Sequence, residues 1–422
     1  MISRLLNSIL NFFMKYPTSG NLSYMWNFGV SSLFFLILQI VTGLFLSMHY
    51  IPSEADAFNS VESIMRDINY GWLFRYLHSN GASFFFISVY LHVFRSICYL
   101  SFTKPRHLVW HSGVILFILM IITAFTGYVL PWGQMSFWAA TVITNLFSVI
   151  PIFGNLIVFW LWGDYAVSTI TLNKFYTLHF VLAILILIIS CFHMFFLHKK
   201  GSSNKLGLNF YLDKAMFHPF YIFKDINFLT IIILIFLLII GFFPNILSHP
   251  DNYIPADPLS TPAHIVPEWY FLPFYAMLRS VPNKELGVII LVASIFQLFL
   301  LPHIYPSRDV LNNKNILKDE SGQLKFLNKE EMITIEVTEN KNVEVLTRWG
   351  FGCKSYLIFY WMFVVNCIFL GILGSKSLEY PYVTFSLICT IFYFLFFYIG
   401  AFIFSETGQR IIIFILNKLK KK

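Results

Sequence analysis

Eight long apolar runs, at about 28–50, 75–101, 110–131, 173–198, 227–247, 286–304, 354–373 and 381–404, decide what this chain can become. Each is long enough to cross a hydrocarbon layer, which takes ~20 apolar residues in a helix. Lipid offers no water, so every backbone N–H and C=O in such a run must be satisfied within the protein. A helix does this inside a single segment. The expected fold is all-α, a polytopic membrane protein of eight transmembrane helices. The first four form a bundle over residues 1–210; residues 211–422 hold the other four and a polar insertion at 306–350. Composition agrees, with 57% of 422 residues hydrophobic and 12% charged, about half the charge of an ordinary soluble domain. The five cysteines are scattered, form no C-x-x-C or C-x-x-C-H, and are read as small buried apolar residues. The amphipathic N-terminal stretch is read as retained.

Basic residues collect on one set of run ends. Arg4 and Lys15 precede the first run, and Arg95, Lys104 and Arg106 fall around the connection between the second and third. Lys199, Lys200, Lys205, Lys214 and Lys224 lie between the fourth and fifth; Arg410, Lys418, Lys420, Lys421 and Lys422 follow the eighth. Glu54, Asp56, Glu62, Asp164, Asp251, Asp257 and Glu268 mark the opposite side. Both termini are expected on the basic, charge-retaining side. The net charge of +8 is mostly this bias; it suits anionic lipid headgroups rather than nucleic acid. The proline-rich stretch 248–271 is expected at the surface or folded back into protein. Residues 306–350 sit on the basic side, and MITIEVTENKNVEVL within them alternates like a small hairpin. The segment is either a tolerated surface insertion or a docking surface for a partner subunit.

His78 and His92 stand 14 residues apart in the second run, and His179 and His193 stand 14 apart in the fourth. Along a helix that interval rises about 21 Å and falls ~40° short of four full turns. Each pair therefore shares one helix face, with an imidazole in each leaflet. Both runs cross in the same direction, so His78 pairs with His179 and His92 with His193. One pair alone could be a helix–helix hydrogen bond. Two pairs at one interval point to two stacked two-imidazole sites, since ionisable groups in hydrocarbon are functional by default. Zinc takes four ligands. Haem iron takes two axial ligands, the porphyrin supplying the rest. Two non-covalent, bis-histidine b-type haems are expected. Gly29 and Gly43, and again Gly113 and Gly127, repeat the interval of 14. They are read as bare backbone against which a porphyrin lies, with small-residue helix packing as the alternative. Arg75 and Lys174 near one pair, and Arg95 near the other, are candidate propionate partners.

Four stretches, NFGVSSLFFLILQIVTGLFLSMHY, RYLHSNGASFFFISVYLHVFR, GYVLPWGQMSFWAATVITN and PADPLSTPAHIVPEWYF, carry a family resemblance. The chain resembles cytochrome b, the haem-bearing core of the cytochrome bc1 complex (respiratory complex III), over nearly its whole length outside 306–350. The unsplit chain is similar to the respiratory form rather than the photosynthetic b6 form. The resemblance implies a low-potential haem on His78 and His179 near the outer face, and a high-potential haem on His92 and His193 near the inner face. It implies ubiquinol–cytochrome c reductase activity through a Q cycle. At an outer site ubiquinol gives one electron to a Rieske iron–sulfur protein and one to the low-potential haem. The second electron crosses to reduce ubiquinone at an inner site, coupled to proton translocation. It also implies cytochrome c1 and other bc1-complex subunits as partners, a homodimeric complex, and the mitochondrial inner membrane with both termini on the matrix side.

Residue chemistry reads beside this. In PEWY, Glu268 follows Pro267 at an interfacial loop and can accept a quinol proton if burial raises its pKa. The bland alternative makes Trp269 and Tyr270 interfacial anchors. Tyr270 joins Glu268 in the expected outer site, whose apolar part falls to Phe125, Tyr128, Met135, Ala139 and Ile143. By resemblance the inner site takes His198, Ser202, Lys224 and Asp225, with Trp26 and Asn27 completing it. His198 and Asp225 would protonate the two carbonyls of a quinone ring. The other histidines are read as interfacial or structural. The chain departs from the family pattern in four places: Phe94 and Ala139 replace glycine, Lys174 replaces arginine, and Ser168 replaces aspartate. A haem–copper oxidase subunit would need a further histidine cluster, and a proton-relaying transporter would show broken helices with polar midplanes; neither pattern is present.

Overall fold

The computed structural model describes residues 15–204, 214–305, 315–318, 324–327 and 354–404. Among them are twelve α-helices: α1 (Phe28–Ser47), α2 (Ala57–Arg66), α3 (Gly71–Cys98), α4 (His107–Val129), α5 (Gln134–Thr144), α6 (Gly154–Trp162), α7 (Thr169–Lys200), α8 (Ile222–Phe242), α9 (Leu272–Arg279), α10 (Lys284–Ile304), α11 (Lys354–Gly374) and α12 (Tyr382–Phe404). Eight of these regions are long and apolar enough to cross a membrane, in the order the runs predict. The four shorter helices lie in the connections on the acidic side.

Local chemistry sets several helix ends. Asn283 caps α10 by accepting a hydrogen bond from the Leu286 amide at 2.8 Å. Gly163 ends α6 in a left-handed turn at φ 73°, and Gly201 ends α7 at φ 72° with an extended ψ, conformations that glycine adopts at little steric cost.

Two strand pairs are present among the described residues. β1 (Pro17–Ser19) runs antiparallel to β2 (Lys214–Met216), with Pro17 opposite Met216 and Ser19 opposite Lys214. β3 (Asn315–Lys318) pairs antiparallel with β4 (Leu324–Leu327) in the polar insertion. The alternating stretch MITIEVTENKNVEVL lies outside the described residues.

Packing follows the membrane helices. α1 lies on α3, and α4 lies on α7. Phe35, Phe84, Phe236 and Ile240 fasten α8 to that first pair. A larger buried cluster draws Phe86 from α3, Phe117 from α4, Leu301 from α10, Tyr356 and Phe363 from α11 and Phe396 from α12. The helices before and after residue 210 therefore share one core. Phe94, which stands where the family pattern has glycine, sets its ring edge-on to Phe363 at 6.1 Å. Phe180, Val181, Ile184 and Ile188 of α7 are exposed, as a lipid-facing surface requires.

Candidate functional site

The four histidines meet as two pairs. The His78 and His179 ring centroids are 6.1 Å apart, and those of His92 and His193 are 6.3 Å apart. Two metal–imidazole bonds of ~2 Å, each extended by the ~1 Å from nitrogen to ring centre, give a spacing of about 6 Å. The residues therefore fit an iron with two axial imidazoles in each pair. All four rings keep some accessible surface although they face the bundle interior. Three of them commit Nδ1 to an oxygen. His78 Nδ1 lies 2.9 Å from Thr42 Oγ1, His193 Nδ1 lies 2.9 Å from Ser112 Oγ, and His179 Nδ1 donates to the Thr123 carbonyl at 2.7 Å. Such a bond leaves Nε2 with its lone pair, the form that ligates a metal.

The glycines have a more specific neighbour than the sequence suggests. A methyl group on Gly29 would approach His92 Cε1 to 3.3 Å; on Gly43 it would approach His78 Cε1 to 3.0 Å, and on Gly113 His193 Cε1 to 3.2 Å. On Gly127 it would overlap the His179 ring. Each glycine thus makes room for an imidazole of the helix packed against it.

The expected propionate partners divide. Arg95 is buried, its Nη2 lies 3.1 Å from His92 Nδ1, its guanidinium sits 5.4 Å from the Trp26 ring centre, and its Nε has no partner. A buried orphan N–H beside the His92–His193 pair suits an anionic group there. Lys174 gives its ammonium to the Trp160 carbonyl at 2.7 Å, capping the end of α6. Arg75 carries a charge felt by Glu268 and Glu62.

At the acidic end, the 248–271 stretch folds back onto the bundle. The Gln134 amide donates to the Ile254 carbonyl at 2.9 Å and the Ala256 amide to the Trp132 carbonyl at 3.0 Å. Glu268 opens a short turn leading into α9. Burial raises its carboxyl to about 7, opposed by the nearby Tyr128 hydroxyl and the Arg75 charge, which favour the anion. The Tyr128 hydroxyl is buried beside Glu268 without a partner at hydrogen-bond geometry. Tyr270 stacks on Phe86, and its carbonyl accepts from the Tyr90 hydroxyl. Trp269 Nε1 donates to Ser83 Oγ at 3.0 Å. These contacts hold Glu268 at a fixed place after Pro267. Met135 and Ala139 are buried in α5, Ile143 is half-buried there, and Phe125 packs edge-on to Phe175 at 5.7 Å.

At the basic end, the β1–β2 pairing brings residues 22–27 to the start of α8. Asn27 Nδ2 donates to Asp225 Oδ1 at 2.5 Å, and Lys224 donates to the Leu22 carbonyl. Trp26 packs against Tyr99 at 4.7 Å. The His198 ring lies 4.5 Å from the Tyr16 ring, whose hydroxyl donates to the His198 carbonyl. Arg106 donates to the carbonyls of Gly201 and Ser202 at 2.7 and 3.3 Å. Tyr16, Thr42, Ser112 and Thr123 were not singled out in the sequence, and Arg106 figured there only as a basic loop residue. The only signal for the hydroxyls is their place just before glycine, as in Thr42–Gly43 and Ser112–Gly113.

Comparisons with known proteins agree with this geometry. A family model described as Cytochrome b/b6/petB matches residues 13–201, and one described as Cytochrome b(C-terminal)/b6/petD matches 255–317 and 340–394. The chain is 47% identical to cytochrome b of Acanthamoeba castellanii, covering 93% of both chains. It is 46% identical to cytochrome b of Rickettsia prowazekii, covering 92% of this chain and 88% of that one. Among solved structures, a chain from a hyperthermophilic respiratory complex III is similar with a TM-score of 0.80 and 30% identity, covering 97% of this chain and 100% of that chain.

Proposed function

This chain belongs to the cytochrome b family, a respiratory electron-transfer family, and from that premise we propose that it oxidises ubiquinol at an outer site and reduces ubiquinone at an inner one. The observation that carries the reading is the pair of two-imidazole sites, 6.1 and 6.3 Å between ring centroids, each joining α3 to α7. Haem iron held by two imidazoles supplies a one-electron carrier at each level.

The chain's own residues handle protons and position. Glu268, with its pKa near working pH, takes a proton from quinol at the acidic end. Tyr128, Phe125, Met135, Ala139 and Ile143 surround the ring and keep water out. Tyr270 braces the Glu268 loop through its stack on Phe86. At the basic end, Asp225, held by Asn27, and His198, packed on Tyr16, deliver protons to the two quinone oxygens. Lys224, Ser202 and Trp26 shape that pocket. Arg95, and by position Arg75, offer cations to haem propionates.

The family resemblance supports a Rieske iron–sulfur protein and cytochrome c1 as redox partners in a homodimeric complex. It also supports the mitochondrial inner membrane as location, with the basic loops and both termini in the matrix. The polar segment 306–350 would then face matrix-side subunits. The decisive test is a reduced-minus-oxidised optical spectrum of the purified complex, wild type beside His193→Asn. Two b-type haems in the first and one in the second are expected. Two in both would overturn the ligand assignment.

A further inference from the structure

The pocket at the basic end has two walls, built from distant parts of the chain. Asp225 and Lys224 stand on one, at the start of α8. That wall is tied to the segment before α1. β2 pairs with β1, the Tyr221 hydroxyl donates to the Ser19 carbonyl, Lys224 donates to the Leu22 carbonyl, and Asn27 holds Asp225. His198 and Ser202 stand on the other wall, at the end of α7. That wall is tied to the connection between α3 and α4. Arg106 donates to the Gly201 and Ser202 carbonyls, and the Ser101 and Ser203 hydroxyl oxygens lie 2.7 Å apart. The two anchors meet where Trp26 packs on Tyr99, but those bonds leave the His198 side chain untouched.

Tyr16 bonds to both walls. Its carbonyl accepts from the Phe217 amide at 2.9 Å, which extends the β1–β2 pairing one residue toward α8. Its hydroxyl donates to the His198 carbonyl at 3.3 Å, one of the last carbonyls of α7, which have no further helical turn to bond to. Its ring lies 4.5 Å from the imidazole, with 54° between the planes. A methyl on Gly201 would stand 3.3 Å from the same hydroxyl, so the turn after α7 also closes on this residue. Burial raises the pKa of the Tyr16 hydroxyl and the Arg106 charge opposes that rise, so the α3–α4 connection is felt here as well. One residue thus has its backbone on the strand pair that carries α8 and its side chain on the end of α7.

We infer that Tyr16 is a positioning residue of the inner site, the spacer that sets how far His198 stands from Asp225 and which way the imidazole faces. The inference rests on the reading that this site binds a quinone. A ring whose two carbonyls are protonated from opposite sides needs both donors in reach at once, ~2.6–3.2 Å between heavy atoms. The two donors sit on separate helices, so the gap between them is only as fixed as the contacts that join the walls. The ring of Tyr16 carries more of this than its hydroxyl does. It meets the imidazole itself, whereas the hydroxyl meets backbone that the helix already holds.

The test uses the intact complex and a short-chain ubiquinol. Reduction of the haems is followed with the outer site inhibited, then separately with the inner site inhibited. Tyr16→Phe keeps the ring and should hold the half-saturating quinol concentration of the inner site within about threefold of wild type, the loss of one modest hydrogen bond. Tyr16→Leu keeps an apolar side chain and loses the ring. It should raise that concentration roughly tenfold or more, since misplacing a bound group by about 1 Å costs up to ~100-fold. Reduction through the outer site and both haem spectra should not change. Half-saturation in Tyr16→Leu equal to wild type overturns the inference, whatever the thermal midpoint does. An equal rise in Tyr16→Phe overturns the assignment to the ring. A loss at both sites together makes Tyr16 a general structural residue and overturns it too. Wild type that shows no haem reduction with the outer site inhibited would instead refute the inner-site reading beneath it.

Discussion

Tyr270 lies flat on Phe86, their ring centroids 4.0 Å apart and their planes 5° from parallel. This stack, with the Tyr90 hydroxyl bonded to the Tyr270 carbonyl, fixes the backbone that carries Glu268 two residues earlier. Phe86→Leu keeps an apolar residue but removes an aromatic pair worth ~0.5–1.5 kcal/mol beyond its area. Quinol oxidation should slow and the thermal midpoint fall, while both haem spectra persist. Turnover equal to wild type would show that the loop is held by its other contacts.

Glu268 sets a pH dependence. Its pKa is raised to about 7 in the folded protein by burial. A proton acceptor must be deprotonated to work, so quinol oxidation should rise with pH through that value. Glu268→Gln should flatten the profile and lower the rate. Stability runs the other way. A carboxyl whose folded pKa exceeds its ordinary value loses stability as pH climbs between the two, and the loss is complete above about 7. The glutamine variant should therefore melt no lower than wild type at alkaline pH. A profile unchanged by the substitution would assign Glu268 to structure.

The glycines should grade by the space they leave. Gly127→Ala puts a methyl into the His179 ring, whereas Gly29→Ala brings one to 3.3 Å from His92. The first should lose the haem of the His78–His179 pair selectively, because a close-packed contact feels one added carbon. The second should retain both haems with a small spectral shift. Equal tolerance at the two positions, read from difference spectra, would refute the grading.

Asn27→Leu removes the donor that holds Asp225 at 2.5 Å. A hydrogen bond to a carboxylate is worth ~1.5–3 kcal/mol, so affinity for quinone at the inner site should fall roughly tenfold or more. Haem reduction through that site, with the outer site inhibited, measures it directly. Outer-site turnover at saturating inner-site quinone should change little.

The pairing of the four histidines was readable in the sequence because 14 residues return a helix to one face, and that period survives any detail of packing. Helix order was readable for the same reason that lipid admits few structures. The partners of Nδ1 were not, because they depend on how α1 rotates against α3 and α4 against α7. Lys174 illustrates the limit: its spacing put it near a histidine, but the end of α6, a separate element, claimed its ammonium. Tyr16 stands 182 residues from His198 in sequence, and no local pattern links them. The glycine period was visible, yet the imidazole beside each glycine appears only when the helices are packed.

The β1–β2 pairing joins residues 17–19 to residues 214–216, and this has a consequence for biogenesis. A ribosome that has released α1 to α7 has delivered all four histidines and all four glycines, but not Lys224 or Asp225. The two histidine pairs can thus meet while the Asn27–Asp225 contact is still unmade. Synthesis therefore sets an order on this chain: all four histidines are made before the strand that ties residues 214–216 to residues 17–19 exists.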